Sequence, residues 1–213
     1  MLNISCPLFS CNSIPIIYDH IGINTFTEGL AAVALNERWG YLNENGETVI
    51  PFKYEYAYSF DEEYAIIELN KKVGIIDNKG KIIIPINYEE IDFKGFSEGL
   101  LAVKLNGKWG YINNKNEVIV KFKYDYAYAF SEGKALINKG GKEKIYGGCS
   151  GGKFGYIDKS GKEIIKIIFD DASSFHEGTA TVTKDLKHYI IDNTGKEIII
   201  PQKKEDDSNI EDE

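Results

Sequence analysis

The residues whose types could do chemistry lie between Lys139 and Gly152, in the segment KGGKEKIYGGCSGG. Gly147 to Lys153 has the GxxxxGK spacing of a phosphate-binding loop, whose backbone amides and lysine hold phosphate oxygens. Gly148 to Gly152 has the GxSxG spacing that exposes a serine nucleophile at a sharp turn. Both arrangements require a helix directly after the motif, so the element that follows Lys153 decides whether either of them is possible.

The residues after the segment argue against both motifs. Phe154 stands where a phosphate loop needs a Ser or Thr to reach magnesium, and Phe154-Gly155-Tyr156 opens a predicted strand. Residues 148–152 are similar to the Gly-Asp-Ser-Gly-Gly box of trypsin-like proteases with Cys149 in place of Asp, but such a protease also needs a His and an Asp positioned by a double barrel. We therefore expect no catalytic residue and predict that the chain is not an enzyme.

Candidate metal ligands are few and scattered. The chain has three cysteines and three histidines: Cys6, Cys11, Cys149, His20, His176 and His188. They show no CxxC and no other ligand spacing typical of a metal site, so we expect no metal and no cofactor. Free cysteines fit a reducing compartment, and the N-terminus lacks the basic region of a secretory signal, so we expect a cytoplasmic protein without a membrane span.

The overall composition limits the partners. The formal net charge is −8, which argues against a protein that neutralises nucleic-acid phosphates. A hydrophobic content of 43% is enough for a folded core. Residues 202–213 carry six acids against two lysines and almost no apolar side chain, so this stretch is predicted to be an acidic disordered tail.

Internal repeats position all of these residues. A phenylalanine opens each of five copies, at Phe26, Phe60, Phe96, Phe130 and Phe175. The spacings are 34, 36, 34 and 45 residues, and the last is an ordinary copy that carries the Lys139–Gly152 insertion. A period of about 34 residues indicates a repeat architecture.

The copy that begins at Phe96 is the clearest. Phe-x-Glu-Gly leads into an alternating strand, Asn106-Gly107 is a strong hairpin signal, and the return strand opens with Trp109-Gly110-Tyr111. A second turn at Asn116 requires a residue that tolerates left-handed φ. The third strand is predicted to lie at a sheet edge, because Pro51 and Pro85 occupy it in two other copies.

These patterns predict an all-β fold of tandem meanders with three or four strands per copy. We expect a single domain over residues 14–201, with units starting near 26, 60, 96, 130 and 175, after an N-terminal segment of residues 1–13. Residues 14–19 match the third strand, so they can close a β-propeller-like array by pairing with the last copy. An open antiparallel β-solenoid or superhelix is the alternative.

Two segments carry a family resemblance. Gly107 to Asn113 (GKWGYIN) and Gly152 to Asp158 (GKFGYID) resemble the WG-repeat proteins, bacterial proteins built from tandem Gly-Lys-Trp-Gly-Tyr-Ile-Asp motifs. The resemblance covers roughly residues 14–201 and implies a β-repeat binding or interaction module with no assigned reaction. Val73 and His188 depart from it, since they stand where Trp is expected.

The repeated motif is expected to be architectural. Large aromatic residues that recur in the same phase of a repeat usually stack between units. The residues assigned to this structural role are Trp39, Gly40, Trp109, Gly110, Phe154 and Gly155.

Two tyrosine trios and the insertion are the candidate binding residues. The trios are expected to alternate along a strand and to present one face: Tyr54, Tyr56 and Tyr58, and Tyr124, Tyr126 and Tyr128. The insertion adds Lys142, Lys144 and Tyr146. Tyrosine is enriched at interfaces, so the predicted function is protein–protein recognition through a repeat face or the 139–152 loop. The alternative is carbohydrate or cell-surface binding through exposed aromatic residues.

Overall fold

The computed structural model describes residues 26–144 and 148–198, together with the backbone of residues 20–21. The expectations for the N-terminal segment 1–13, for the extra strand at residues 14–19 and for the acidic tail 202–213 lie outside the described residues and stay predictions. The same holds for Tyr146.

In the described part of the chain there is no helix, and each copy folds as one antiparallel sheet. The strands of each sheet follow chain order. Unit 1 contains β1 (His20–Ile21), β2 (Leu30–Leu35), β3 (Arg38–Asn43) and β4 (Thr48–Tyr54). Unit 2 contains β5 (Tyr56–Ala57), β6 (Tyr64–Leu69), β7 (Lys72–Asp77) and β8 (Ile82–Tyr88). Unit 3 contains β9 (Glu90–Ile91), β10 (Leu100–Leu105), β11 (Lys108–Asn113) and β12 (Val118–Tyr124).

The fourth and fifth units differ from the others. Unit 4 contains β13 (Tyr126–Ser131), β14 (Lys134–Lys139), β17 (Lys153–Asp158) and β18 (Glu163–Phe169). The insertion adds a separate two-stranded sheet of β15 (Lys142–Glu143) and β16 (Cys149–Ser150). Unit 5 contains β19 (Asp171–Ala172), β20 (Thr179–Lys184) and β21 (Lys187–Asp192), and a bridge between Ile191 and Glu197 continues the meander.

The short bridge between copies is itself a strand, which settles the number of strands at four in units 1–4. In unit 4, for example, Tyr126 pairs with Asn138 and Ala127 with Ile137. A sheet therefore ends after the third strand of one copy, and the next sheet begins two residues later. The expectation that each tyrosine trio lies along one strand is wrong, because Tyr54 ends β4 of unit 1 whereas Tyr56 begins β5 of unit 2.

The turns follow the sequence signals. Asn106 and Gly107 both have positive φ, 52° and 72°, as a two-residue type I′ hairpin turn requires. Asn116 at the second turn has a φ of 62°, and the Asn113 carboxamide oxygen accepts the backbone N–H groups of Lys115 and Glu117 at 3.0 and 2.9 Å. Each meander is thus fixed by turns whose residues tolerate left-handed backbone.

The glycine of the Trp-Gly pair allows two strands to approach closely. A Cβ added at Gly110 would lie 2.6 Å from the carbonyl oxygen of Val120 and 2.8 Å from the ring of Phe122. The pairing of β11 with β12 shifts register at this point, and β12 lies at the edge of its sheet as predicted. Trp109 is only 2% exposed, so the Trp-Gly pair here belongs to the core.

The hydrophobic core is divided among the junctions between consecutive units. Four clusters of buried side chains join unit 1 to 2, 2 to 3, 3 to 4 and 4 to 5. We call these four contact regions interface 1/2, 2/3, 3/4 and 4/5. Four four-stranded meanders and the three-stranded meander of unit 5, which pack in this way, form a propeller-like all-β array. Closure by residues 14–19 stays a prediction.

Candidate functional site

The insertion folds back onto unit 4 instead of extending from it. β15 pairs with β16, and the amide of Gly148 donates a hydrogen bond of 2.8 Å to the hydroxyl of Tyr126. The side-chain amide of Asn138 donates to the carbonyl of Gly151 at 3.0 Å. Lys104 of unit 3 forms an ion pair with Glu143. We call the insertion at residues 140–152 the capping hairpin, because its described residues, 140–144 and 148–152, cover this part of unit 4.

The nucleophilic side chains of the capping hairpin are poorly placed for catalysis. Burial raises the pKa of the Cys149 thiol to about 11, so the sulfur is protonated at neutral pH and is a weak nucleophile. The Ser150 hydroxyl makes a long hydrogen bond of 3.5 Å to the carbonyl of Lys142. Lys153 begins strand β17 and pairs with Asp170, which leaves neither helix nor free lysine for a phosphate. Within the described residues, no three metal-ligating side chains come together.

A repeated tyrosine contact joins most units. The Tyr111 hydroxyl donates a 2.7 Å hydrogen bond to the carbonyl of Tyr128, and its ring centroid lies 4.9 Å from that of Phe130. The same pair of contacts occurs at Tyr41 in interface 1/2 and at Tyr156 in interface 4/5. The tyrosine of the Trp-Gly-Tyr motif therefore fills the space beneath the next unit's phenylalanine.

The Phe-x-Glu-Gly segment supplies a second repeated contact. In interface 3/4 the Ser97 hydroxyl donates to the carbonyl of Phe130 at 2.7 Å, and the Glu98 carboxylate accepts the amide of Gly133 at 3.0 Å. Interface 4/5 repeats both contacts, and interface 1/2 repeats the carboxylate contact. The repeated acids thus cap the turn of the following unit.

Interface 2/3 lacks these contacts because its residues depart from the repeat. Ile75 replaces the motif tyrosine, and Asp61 replaces the serine. Among the described residues, the side chains of Asp61 and Glu62 make no hydrogen bond and no ion pair. Phe96 is half-buried, whereas its counterpart Phe130 is 3% exposed. A branched aliphatic side chain in place of a tyrosine leaves unfilled space beside Phe96.

That space is a cavity of about 340 Å³. Its walls include two aromatic pairs, with ring centroids 5.1 Å apart for Tyr58 and Phe93 and 5.9 Å apart for Tyr64 and Phe96. Ile75 lines it from the core, and Asp61, Glu62 and Lys94 supply its charged groups. Phe93 is 69% exposed, which makes it the most exposed aromatic ring among the described residues. We call this feature the 2/3 cavity.

The loop that carries Phe93 is held in place. The amides of Lys94 and Gly95 donate to the side chain and carbonyl of Asp92, both at 2.9 Å. The second carboxylate oxygen of Asp92 accepts the amide of Ala129 in unit 4, also at 2.9 Å. Gly95 has a φ of 70°, a conformation that glycine adopts without strain. Phe93 is therefore displayed on a fixed turn.

The predicted site residues are distributed unevenly around this cavity. Tyr54 and Tyr124 are 1% exposed and belong to the core, so the expectation of an exposed face that includes them is wrong. Tyr58 lines the 2/3 cavity, and Tyr56 is 39% exposed beside it. Tyr126 and Tyr128 are half-buried against the capping hairpin, whereas Lys142 and Lys144 on the hairpin are exposed.

The motif residues lie where aromatic stacking joins units. Trp39 is half-buried and its ring lies 5.0 Å from that of Tyr56, and Trp109 has the same spacing to Tyr126. Phe154 is 3% exposed. An added Cβ at Gly40, Gly110 or Gly155 would come within 2.7 Å of the neighbouring strand's backbone.

Sequence reasoning missed Tyr64, Phe93 and Phe96 as cavity residues. A signal was present, because the 36-residue spacing inserts two residues next to Phe93, and Glu63 replaces the turn glycine in the preceding copy. Glu63 has a φ of 68°, so a charged side chain occupies a backbone position that glycine fills in the other copies.

Electrostatics distinguish the interfaces. The backbone amide of Gly133 holds the pKa of Glu98 below its ordinary value, and the amide of Gly107 does the same for Glu89. Burial raises the pKa of Tyr58, and the nearby Tyr56 and Glu68 raise it further. The Tyr58 hydroxyl at the cavity is therefore neutral across the physiological range.

A comparison with known families identifies the repeat. A sequence profile described as "WG containing repeat" matches five tandem segments, residues 12–39, 39–72, 74–109, 109–142 and 154–187. These matches cover all five copies. The profile agrees with the Trp-Gly-Tyr motif on which the interfaces are built.

This chain spans less than two thirds of the length of the first two solved structures to which its backbone is similar. A eukaryotic initiation factor matches with a TM-score of 0.51 at 12% identity, over 92% of this chain and 57% of its own. Hsv2 from Kluyveromyces lactis matches with 0.42 at 10% identity, over 81% and 60%. The Pan2 WD40 domain from Neurospora crassa matches with 0.41 at 11% identity, over 83% and 61%. The first of these shows a likeness of fold alone.

No curated protein matches the sequence. In the described part of the chain, no helix has the length and apolar character that a membrane crossing requires.

Proposed function

The chain belongs to the WG containing repeat family, and on this basis we propose that it is a non-catalytic protein-recognition module whose principal site is the 2/3 cavity. The partner is another protein, which inserts a side chain between units 2 and 3. The remaining interfaces hold the scaffold that presents this cavity.

The observation that carries the proposal is the exposure of Phe93 at the mouth of an aromatic cavity. When a partner covers an exposed aromatic ring, burial contributes about 25 cal/mol per Å² of apolar surface removed from water. The fixed turn at Asp92 means that little conformational entropy is lost when a partner covers the ring. Aromatic anchors beside a preformed pocket are typical of the residues that dominate binding energy.

Protein recognition is favoured over carbohydrate recognition by the state of the tryptophans. A stacking platform for sugars needs solvent-facing aromatic faces, yet Trp109 is buried and Trp39 is half-buried. The 2/3 cavity is enclosed on several sides by rings and by Ile75, which suits one inserted side chain. Lys142 and Lys144 of the capping hairpin stay a predicted second binding surface, separate from the 2/3 cavity.

The proposal is tested by selecting binders from a random peptide display library on the wild-type protein. Phe93→Ser serves as the cavity variant, and Leu186→Ser is the matched control, because Leu186 is 95% exposed on a turn of unit 5. We expect enriched peptides to bind wild type and Leu186→Ser equally and to lose at least about tenfold in affinity on Phe93→Ser.

A parallel glycan array supplies the competing result. Enrichment of glycans with no enriched peptide would overturn protein recognition in favour of the carbohydrate alternative. Peptides that bind wild type and Phe93→Ser equally would overturn the 2/3 cavity as the site.

A further inference from the structure

We propose that the 2/3 cavity recognises an arginine side chain of the protein partner. This inference rests on the proposed function and specifies the chemistry of its ligand. It combines the aromatic walls of the cavity, the two unpaired carboxylates at its rim and its volume.

The walls suit a planar cation. Tyr58 with Phe93, and Tyr64 with Phe96, place four aromatic rings around one cavity. The face of an aromatic ring is electron-rich and attracts a cation, and a guanidinium group also stacks on it through its flat surface. The neutral Tyr58 hydroxyl leaves that ring free to act as a stacking surface.

The charges at the rim favour a cation over an anion. Asp61 and Glu62 line the cavity, and in the described part of the chain neither carboxylate has a hydrogen-bond or ion-pair partner. At interface 3/4 the equivalent residues, Ser97 and Glu98, are both engaged with the next unit. Carboxylates released from that role can accept the N–H groups of a guanidinium, which offers five donors in a rigid fork.

Lys94 is the opposing charge at the cavity. Lys94 lines the cavity together with Asp61 and Glu62, so the described lining residues carry one positive and two negative charges. Glu68 adds further negative potential near Tyr58. The balance at the rim is therefore acidic, and Lys94 is expected to weaken the binding of a cation.

The volume suits one long side chain. About 340 Å³ lies near the lower end of the range for small-molecule sites, about 300–1,000 Å³. An arginine side chain brings an apolar stem for Ile75 and Phe96 and a polar head for the rim. A folded domain or a peptide backbone does not enter such a space, so the partner contributes a single exposed arginine.

The test is a titration of the full chain with N-acetyl-arginine amide, followed by amide chemical shifts in NMR. N-acetyl-citrulline amide is the neutral probe of nearly equal shape. We expect arginine amide to bind with a Kd on the order of millimolar and to shift resonances of Phe93 and its neighbours, while citrulline amide binds at least about tenfold more weakly.

Charge variants give the direction of the effect. Asp61→Asn combined with Glu62→Gln is expected to lower the affinity for arginine amide by about tenfold. Lys94→Gln is expected to raise that affinity about twofold. Glu177→Gln is the matched control, since Glu177 holds the same repeat position in unit 5 and its side chain is 86% exposed. It is expected to leave binding unchanged.

Equal binding of citrulline and arginine amides, or stronger binding after removal of both acids, would overturn the arginine inference. Selected peptides that bind through Phe93 without any arginine would also overturn it while leaving protein recognition intact. Failure of the peptide selection itself is the separate result that removes the proposed function.

Discussion

Two tyrosine pairs, separated by 70 positions in the chain, are covered by different segments. Tyr56 and Tyr58 have ring centroids 4.8 Å apart, and so do Tyr126 and Tyr128. The second pair lies under the capping hairpin, whose Cys149 is 6% exposed. The first pair lies next to Phe93, whose ring is exposed to solvent at the 2/3 cavity.

The difference shows how a repeat gains a site. The stacking inherited from the repeat is the same in both places, and each stack begins at a tryptophan 5.0 Å away. The added segments are different: the insertion of unit 4 seals one stack, and the two-residue insertion next to Phe93 leaves the other open. Ile75 then creates the adjacent space. A binding site arises here where the chain departs from its own pattern.

The largest predicted effect comes from making a regular interface resemble interface 2/3. Tyr111→Ile removes a fully buried ring and the hydrogen bond to the Tyr128 carbonyl. We expect the free energy of unfolding to fall by about 2–3 kcal/mol in urea denaturation.

Tyr111→Phe is the matched control for that change, because it removes only the hydroxyl. Its expected cost is about 1 kcal/mol. If Tyr111→Ile were as stable as wild type, the motif tyrosine would not be the residue that closes the regular interfaces.

A second, smaller effect is expected from removing the cover of the Tyr126–Tyr128 stack. Replacing residues 140–152 with Asn-Gly restores the two-residue turn found at positions 106–107. The chain should stay folded and lose about 1–2 kcal/mol of stability, because Cys149 no longer buries its side chain and Tyr126 loses the amide of Gly148.

Peptide binding by the variant that lacks the capping hairpin tests which of the two tyrosine stacks carries the binding site. We expect the affinity at the 2/3 cavity to change by less than about threefold, since the capping hairpin lies on unit 4. Loss of all peptide binding on deletion would instead place the principal site on the hairpin.

The smallest effect concerns the repeated carboxylates. Glu98→Gln weakens a charged contact with the Gly133 amide and removes an ion pair with Lys159 (2.9 Å), at an expected cost of about 0.5–1 kcal/mol. Glu62→Gln is the matched change at interface 2/3, where no such contact exists, and should cost about 0.3 kcal/mol or less. Equal costs would contradict the contrast between the interfaces.

The pH dependence of stability tests the contribution of the Glu98 carboxylate. The folded-state pKa of Glu98 lies below its ordinary value of 4.5, so the unfolded chain takes up protons first as pH falls below about 4.5. The stabilisation is present above that pH and is lost as pH falls through the folded-state pKa. Denaturation midpoints measured from pH 6 to 2 should therefore fall less steeply for Glu98→Gln than for wild type.

Much of the fold was predictable because local signals agree. The Phe-x-Glu-Gly turn, the Asn-Gly hairpin and the edge prolines each indicate one meander, and the five-copy all-β array follows from them. Strand membership at Tyr54 and Tyr56 was not predictable, because alternation continues through Glu55 while the chain passes from one sheet to the next.

The candidate site was harder to predict because it depends on what is missing. Ile75 is an unremarkable core residue by type, and only the comparison with Tyr41 and Tyr111 reveals the space that it leaves. Phe93 likewise reads as one more aromatic residue until the turn at Asp92 places it in solvent. Departures from a repeat carry this information, but only three-dimensional packing shows which of them meet.

The most direct test restores the repeat at the site itself. Ile75→Tyr should place a ring beneath Phe96, as Tyr111 does beneath Phe130, and should leave the fold and its thermal stability intact. Calorimetry with a peptide selected on the wild-type protein should then show at least about a hundredfold loss of affinity for Ile75→Tyr. Unchanged affinity in a folded Ile75→Tyr variant would contradict the claim that the 2/3 cavity is the binding site.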